Sequence, residues 1–210
     1  MRVLPPLLYG AGHPYAIPFS GSGTEASVSA LTRDDLIAYQ RAFLRPDNAT
    51  IIVTGAVTPA TILPLLERHF GDWQPPAGQS PPRAAIAAAT GSSGTRVYLL
   101  DRPGAPQTSI LAGQLMPSSQ APDRIELNTA NDVLGGTFTS RINMNLREDK
   151  HWSYGARSSL TETRGQRPWL LSAPVQTDKT VESIREIQRE IAEFIGDRPA
   201  TPEEIDTVRN

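Results

Sequence analysis

The chain has 210 residues, 39% apolar and 20% charged, with a formal net charge of −2. That length holds one large domain or two small ones with chain enough for a buried core, and the composition is that of an ordinary globular protein. The near-neutral balance gives no reason to expect nucleic acid or an anionic membrane as partner, the lack of cysteine excludes disulfides and thiolate metal sites, and no run of about 18 apolar residues is present to span a membrane.

In chain order, residues 1–30 are rich in Gly, Pro and Ser without lasting periodicity and read mostly as loop. The opening MRVLPPLLYGAGHPY lacks a signal-peptide core, so the reading is either that the chain starts inside a larger protein or that Met1 is a cloning start. His13 is expected to be a loop histidine stacked beside Pro14 and Tyr15 rather than a metal ligand. Thr32 is placed to cap a helix, with Asp34 and Asp35 at its positive end and Leu31 and Leu36 as a hydrophobic staple. Leu36, Tyr39, Gln40, Phe43 and Leu44 mark its inward face, and Pro46 stops it. The β-branched run Ala49 to Val57 predicts a buried strand. Thr58 and Pro59 then open a second helix, ended by Gly71, in which Pro64 predicts a kink or a late start.

Residues 74–95, QPPAGQSPPRAAIAAATGSSGT, form a Pro/Ala/Gly-rich linker and a domain boundary. Beyond it the pattern predicts a strand at Arg96 to Leu100, a Pro103-Gly104 turn, and an alternating strand at Gln107 to Leu115. A helix from about Pro122 to Leu134 follows. Strands at Tyr154 to Thr163 and Trp169 to Gln176 are joined by a turn at Arg164 to Arg167. The longest helix, Asp178 to Ile195, places Val181, Ile184, Ile187, Ile191 and Ile195 inward and stops at Gly196. Thr201-Pro202-Glu203-Glu204 is a capping box for a last helix, which reads as truncated.

The stretch that organises the chain is Leu134 to Tyr154, LGGTFTSRINMNLREDKHWSY. Arg147 and Tyr154 stand seven positions apart across a short loop, so a guanidinium and a phenol can point at one place. Two such donors suit a peptide carbonyl that becomes negative in a transition state. On spacing alone the pair fits a plainer arrangement equally well, with Arg147 paired to Glu148 or Asp149 on a solvated surface and Tyr154 packed at a strand end. The Gly135-Gly136 pair matches neither a P-loop nor a dinucleotide fingerprint and reads as a helix stop with a tight turn. No hydroxyl has a spaced His–acid pair to activate it, so nucleophilic catalysis has no support.

LGG-x-F-x-SR, then LRE-x-K, then a Tyr seven residues after the Arg, resembles the C-terminal domain region of the M16 (pitrilysin/insulinase-like) zinc peptidases. Gly12-His13-Pro14-Tyr15, the run LTRDDLIAYQRAFLRPDNATIIVTGAV, RVYLLDRPGAPQTSI and TPEEIDTVRN resemble other parts of that family in the same order. The resemblance implies an α+β fold of two-layer α/β sandwich modules. Residues 1–73 would be the tail of one such domain and 96–210 the following domain, truncated at its C-terminus. It implies that Arg147 and Tyr154 are catalytic, hydrogen-bonding the substrate carbonyl from a domain that forms part of the chamber wall. The family's zinc is held by an H-x-x-E-H helix. His13, His69 and His151 are dispersed and none starts that motif, so zinc is expected in the parent enzyme or a partner subunit and none on this chain, which alone would be inactive. His151 stands where the family often has Gly, which puts the local loop shape in question. The implied partners are an H-x-x-E-H-bearing domain or subunit, paired as a homo- or heterodimer, and an extended peptide substrate. The periplasm is the implied compartment. The alternative is an M16-like structural or docking subunit without catalysis.

Overall fold

The structure is a computed structural model and describes residues 2–82, 84–90 and 94–209, so residues 83 and 91–93 of the expected linker lie outside the described residues. The chain forms two compact units, Met1–Gly21 with Ile86–Asn210, and Ser22–Ala85. Helix α1, Leu4–Tyr9, stands in the stretch expected to be mostly loop, because prolines in its first turn preset the helical φ and Leu4 and Leu8 pack on the sheet described below.

In the Ser22–Ala85 unit, helices α2 (Glu25–Ala30), α3 (Arg33–Phe43) and α4 (Pro59–Phe70) each begin with a capping box. In α3 the Asp35 amide donates to Thr32 Oγ1 at 3.2 Å, and the Thr32 amide donates back to Asp35 Oδ2 at 2.8 Å. The Thr32 hydroxyl, donating to Asp35 Oδ2 at 2.6 Å, and then the Thr32 amide hold the Asp35 carboxyl below the usual carboxylate range, because the charged form is the acceptor. Pro64 sits inside α4, which nevertheless runs unbroken from Pro59 to Phe70. The face of α3 expected to point inward is exposed, Leu36 by 60% and Tyr39 by 61%. The strand expected at Ala49 to Val57 does not form, and Ile52 is 83% exposed. β-branched runs report a preference for a pleated, half-buried surface, and no described segment offers this one a partner strand.

In the larger unit the strand expected at Arg96 to Leu100 is likewise absent, for the same reason: Val97 and Leu99 are 86% and 94% exposed. Strand β1 (Gln107–Met116) leads to α5 (Arg124–Asn131), whose last turns widen into a π-helix at Asp132–Gly136. Helix α6 starts at Arg141–Asn143 and continues as a second π-helix, Met144–Asp149. Strands β2 (Arg157–Leu160) and β3 (Arg167–Gln176) follow, then α7 (Thr180–Ile195) and α8 (Pro202–Arg209). The sheet is antiparallel in the order β1-β3-β2, with Gln107 opposite Gln176 and Arg157 opposite Ser172. Arg167, expected in a turn, lies in β3, fully buried, its Nη1 donating to Asn128 Oδ1 at 2.8 Å.

The two faces of β3 sort the packing. Leu171, Ala173 and Val175 meet Leu134, Ile142, Leu146 and Ile187 in the core. On the other face α1 comes so close that a Cβ on Gly113 would lie 3.2 Å from Leu8 and 3.3 Å from Leu170. The α1 segment is also strapped to the β2–β3 turn, where Tyr9 Oη donates to the Gln166 carbonyl at 2.9 Å. Burial, with the neighbouring Tyr15, pushes the Tyr9 phenol up to about 12. The buried side of α7 is rotated from the expected isoleucine stripe: Ser183, Ile187 and Glu190 are buried, while Val181 and Ile195 are 57% and 80% exposed. Polar partners explain the rotation, since Glu190 Oε1 accepts from Asn145 Nδ2 at 2.7 Å and from Arg189 Nη2 at 3.0 Å.

Candidate active site

The site is built from the hinge between α5 and α6, the π-helical turn after α6, and the loop into β2. Gly135 and Gly136 do what close packing demands. A Cβ on Gly135 would sit 3.2 Å from the Ser158 amide and 3.0 Å from its Cβ, so the helix can approach β2 only without a side chain there. Asn131, one turn earlier, accepts from Ser158 Oγ at 2.7 Å and Trp169 Nε1 at 2.9 Å through its Oδ1, tying α5 to both strands.

Asn143 joins the two arms of the hinge. It is 3% exposed, its Nδ2 donates to the Phe138 carbonyl at 2.6 Å, and its Oδ1 accepts from the Ala156 amide at 3.0 Å. Asn145 anchors the π-turn to α7 by donating from Nδ2 to Glu186 Oε2 at 2.8 Å as well as to Glu190. Bonds from Arg189 and then Asn145 hold the Glu186 carboxyl below the usual range. Arg141 grips α8 by donating to both oxygens of Glu204, from Nε at 2.7 Å and from Nη2 at 2.6 Å.

Arg147 emerges from this frame on the π-helix, a helical form frequent at functional sites. Its Nε lies 3.3 Å from Glu148 Oε1 and its guanidinium carbon stands 4.5 Å from the centroid of the Phe138 ring. Its carbonyl accepts from His151 Nδ1 at 3.1 Å, the tautomer with a proton on that nitrogen. His151 has a φ of 58°, so a residue with a side chain occupies the left-handed conformation that glycine adopts freely, and the helix end keeps its turn. Tyr154 follows, and its surroundings differ from a packed strand end: it is 89% exposed. Its backbone is nonetheless held, because Ser153 bridges to Val175 and donates from Oγ to the Pro174 carbonyl at 2.6 Å. The sequence spacing thus delivers a partly exposed guanidinium and an exposed phenol on a braced loop.

Phe138, Asn131, Asn143 and Asn145 carry much of that bracing and were not singled out from the sequence. A signal existed: asparagine is a poor helix former, and its presence in helical stretches on both sides of the Gly135-Gly136 break, at Asn131 and at Asn143 and Asn145, marks positions held by hydrogen bonding.

The histidines are placed elsewhere. His13 stacks on Tyr9 at 4.9 Å, takes the Tyr15 amide on Nδ1 and meets the Ala87 carbonyl through Nε2, each at 3.0 Å. His69 lies in the last turn of α4. Among the described residues no group of three or more His, Cys, Asp or Glu could hold a metal ion. A separate cleft of about 300 Å³ opens on the α1 side of the sheet, lined by Leu4, Leu111, Arg157, Ser159, Leu170 and Ser172 among others.

The family model described as the peptidase M16 inactive domain matches residues 30–210. An uncharacterized zinc protease of Mycobacterium leprae is 30% identical over 149 residues, 70% of this chain and 32% of that protein. The peptidase M16 inactive domain from Pseudomonas fluorescens is similar in structure with a TM-score of 0.79 at 22% identity, covering 98% of this chain and 48% of that one. A chain of complex III2 from Candida albicans is similar with a TM-score of 0.73 at 16% identity, over 98% of this chain and 48% of that one. At such identities the two structures show the fold. The chain spans about a third of the length of the curated relatives it matches. The zinc implied by those relatives' names does not fit the described residues, which bring no set of ligands together for it. The matched family model and the shared fold agree that this chain belongs to the peptidase M16 family, as an inactive-type domain.

Proposed function

We propose that this chain is the part of a zinc-dependent M16 metalloendopeptidase that contacts substrate without holding metal. The H-x-x-E-H zinc site lies on another domain or a partner subunit, and the two together enclose an extended peptide. In this reading residues 74–95 link two α/β domains, and residues 1–21 pack with the second of them. The parent works in the periplasm. The observation that carries the proposal is the braced pair: Arg147 on the π-helix and Tyr154, 89% exposed, on a loop pinned through Ser153. Both side chains donate hydrogen bonds to the peptide carbonyl as it gains negative charge. Strand β2 is an edge of the sheet among the described residues, and strand addition at a sheet edge is one way to hold an extended peptide.

The test is cleavage of an unstructured quenched-fluorescent peptide by the full-length parent or reconstituted complex, comparing wild type with Tyr154→Phe and measuring zinc in both. The expected result is a fall of about 100-fold in rate with zinc content unchanged. Full activity in the variant removes the pair from the chemistry. The fold shared with a complex III2 chain favours a second reading, a structural or docking subunit. That reading takes over if the intact wild-type assembly neither binds zinc nor cleaves peptide.

A further inference from the structure

We propose that Phe138 is a positioning residue, a fixed aromatic platform that aims the Arg147 guanidinium at substrate; the inference rests on the reading of Arg147 given above. Phe138 is 54% exposed and takes no part in the core cluster, so burial does not account for its place. What it does contact is charge: the Arg147 guanidinium carbon lies 4.5 Å from its ring centroid. A cation is drawn to the negative face of the ring, and a planar guanidinium stacked there keeps its in-plane N–H donors free. Arg147 Nε approaches Glu148 at 3.3 Å, and its Nη1 and Nη2 have no hydrogen-bond partner among the described residues. Two donors therefore remain for a carbonyl oxygen.

A platform must itself be still. The Phe138 carbonyl is held by Asn143 Nδ2 at 2.6 Å. Its turn is closed on either side, with Thr137 Oγ1 donating to the Asp132 carbonyl at 3.1 Å and Ser140 Oγ to the Thr137 carbonyl at 2.6 Å. Because Asn143 also takes the Ala156 amide at 3.0 Å, the backbone under the ring is tied to the backbone two residues past Tyr154. The same amide thus relates the two donors to each other. Without the ring, the long Arg147 side chain keeps only its neighbour Glu148 as an anchor and regains rotamer freedom.

The test uses the full-length parent or reconstituted complex with phenylalanine analogues of rising fluorine content at position 138, which keep the shape and weaken the ring's negative face. The expected result is a stepwise loss of roughly two- to fivefold in kcat across the series, with KM and melting temperature unchanged. Phe138→Trp should keep activity and Phe138→Leu should lose at least as much as the most fluorinated ring. In an Arg147→Ala background the Phe138 changes should have no further effect. A flat fluorine series while Arg147→Ala is impaired overturns the platform alone. Wild-type activity in Arg147→Ala overturns the reading of Arg147, and the platform with it.

Discussion

At the scale of one residue, His151 shows how the loop of the site keeps its shape without a glycine at its left-handed turn. A side chain at a φ of 58° crowds its own backbone, at a cost of about 1–2 kcal/mol. Two local bonds offset it: Nδ1–H to the Arg147 carbonyl at 3.1 Å, and the His151 carbonyl accepting from Gln176 Nε2 at 3.0 Å. His151→Gly exchanges one bond and some chain stiffness for relief of crowding, so urea unfolding should place it within about 1 kcal/mol of wild type. His151→Val puts a β-branched side chain in the same conformation and should lose about 2 kcal/mol. Equal stability of the two variants would show that the left-handed turn is not what constrains this position. The family resemblance marked this residue as a departure, but a backbone angle has no signature in residue type when the residue there is not glycine.

Between elements, Arg141 and Glu204 hold α6 to α8. The hydrogen bonds from Arg141 keep the Glu204 carboxyl below the usual carboxylate range. A carboxyl with a depressed folded pKa stabilises fully above its unfolded value of about 4.3, and that contribution is lost as pH falls through the folded value. Arg141→Ala should therefore cost about 2 kcal/mol at pH 7, and the deficit should shrink on acidification. A deficit that stayed constant down to pH 2 would instead point to partners of Arg141 that do not titrate, the Pro199 carbonyl at 2.9 Å and the Phe194 ring at 5.1 Å. Elements of this kind were legible where the signal is local. The helix caps at Thr32, Thr58 and Thr201 fall where the sequence puts them, as do β1, β3 and α7. Errors arose where the outcome depends on partners. Ala49 to Val57 and Arg96 to Leu100 have strand composition without a strand beside them. The face of α7 was set by Asn145 meeting Glu190, a contact between residues 45 positions apart that no helical period can reveal.

For the whole molecule, the exposed apolar side chains bear on the proposed partnership. Ile52, Val97 and Leu99 are each more than 80% exposed, and the chain covers 48% of the solved M16 inactive-domain structure it resembles. If the remainder of the M16 fold covers these segments, the 210-residue chain alone should bind the dye ANS strongly and lose most of that fluorescence in the full-length parent. Undiminished fluorescence in the parent would mean that these side chains face solvent or another partner there. The site's frame was legible to the extent that Arg147 and Tyr154 share one motif; its bracing was not, because Asn143 acts through the carbonyl of one neighbour and the amide of another.

The bond from Tyr9 to Gln166 spans 157 positions, and that separation has a consequence in time. A ribosome adding about 5–20 residues per second makes the partner of Tyr9 only some 10–30 seconds after Tyr9 itself. Through that interval Leu4, Leu8 and Tyr9 have no sheet to cover. The earliest-made part of this unit is thus among the last to find its place, and during synthesis those apolar side chains stay open to a holding chaperone.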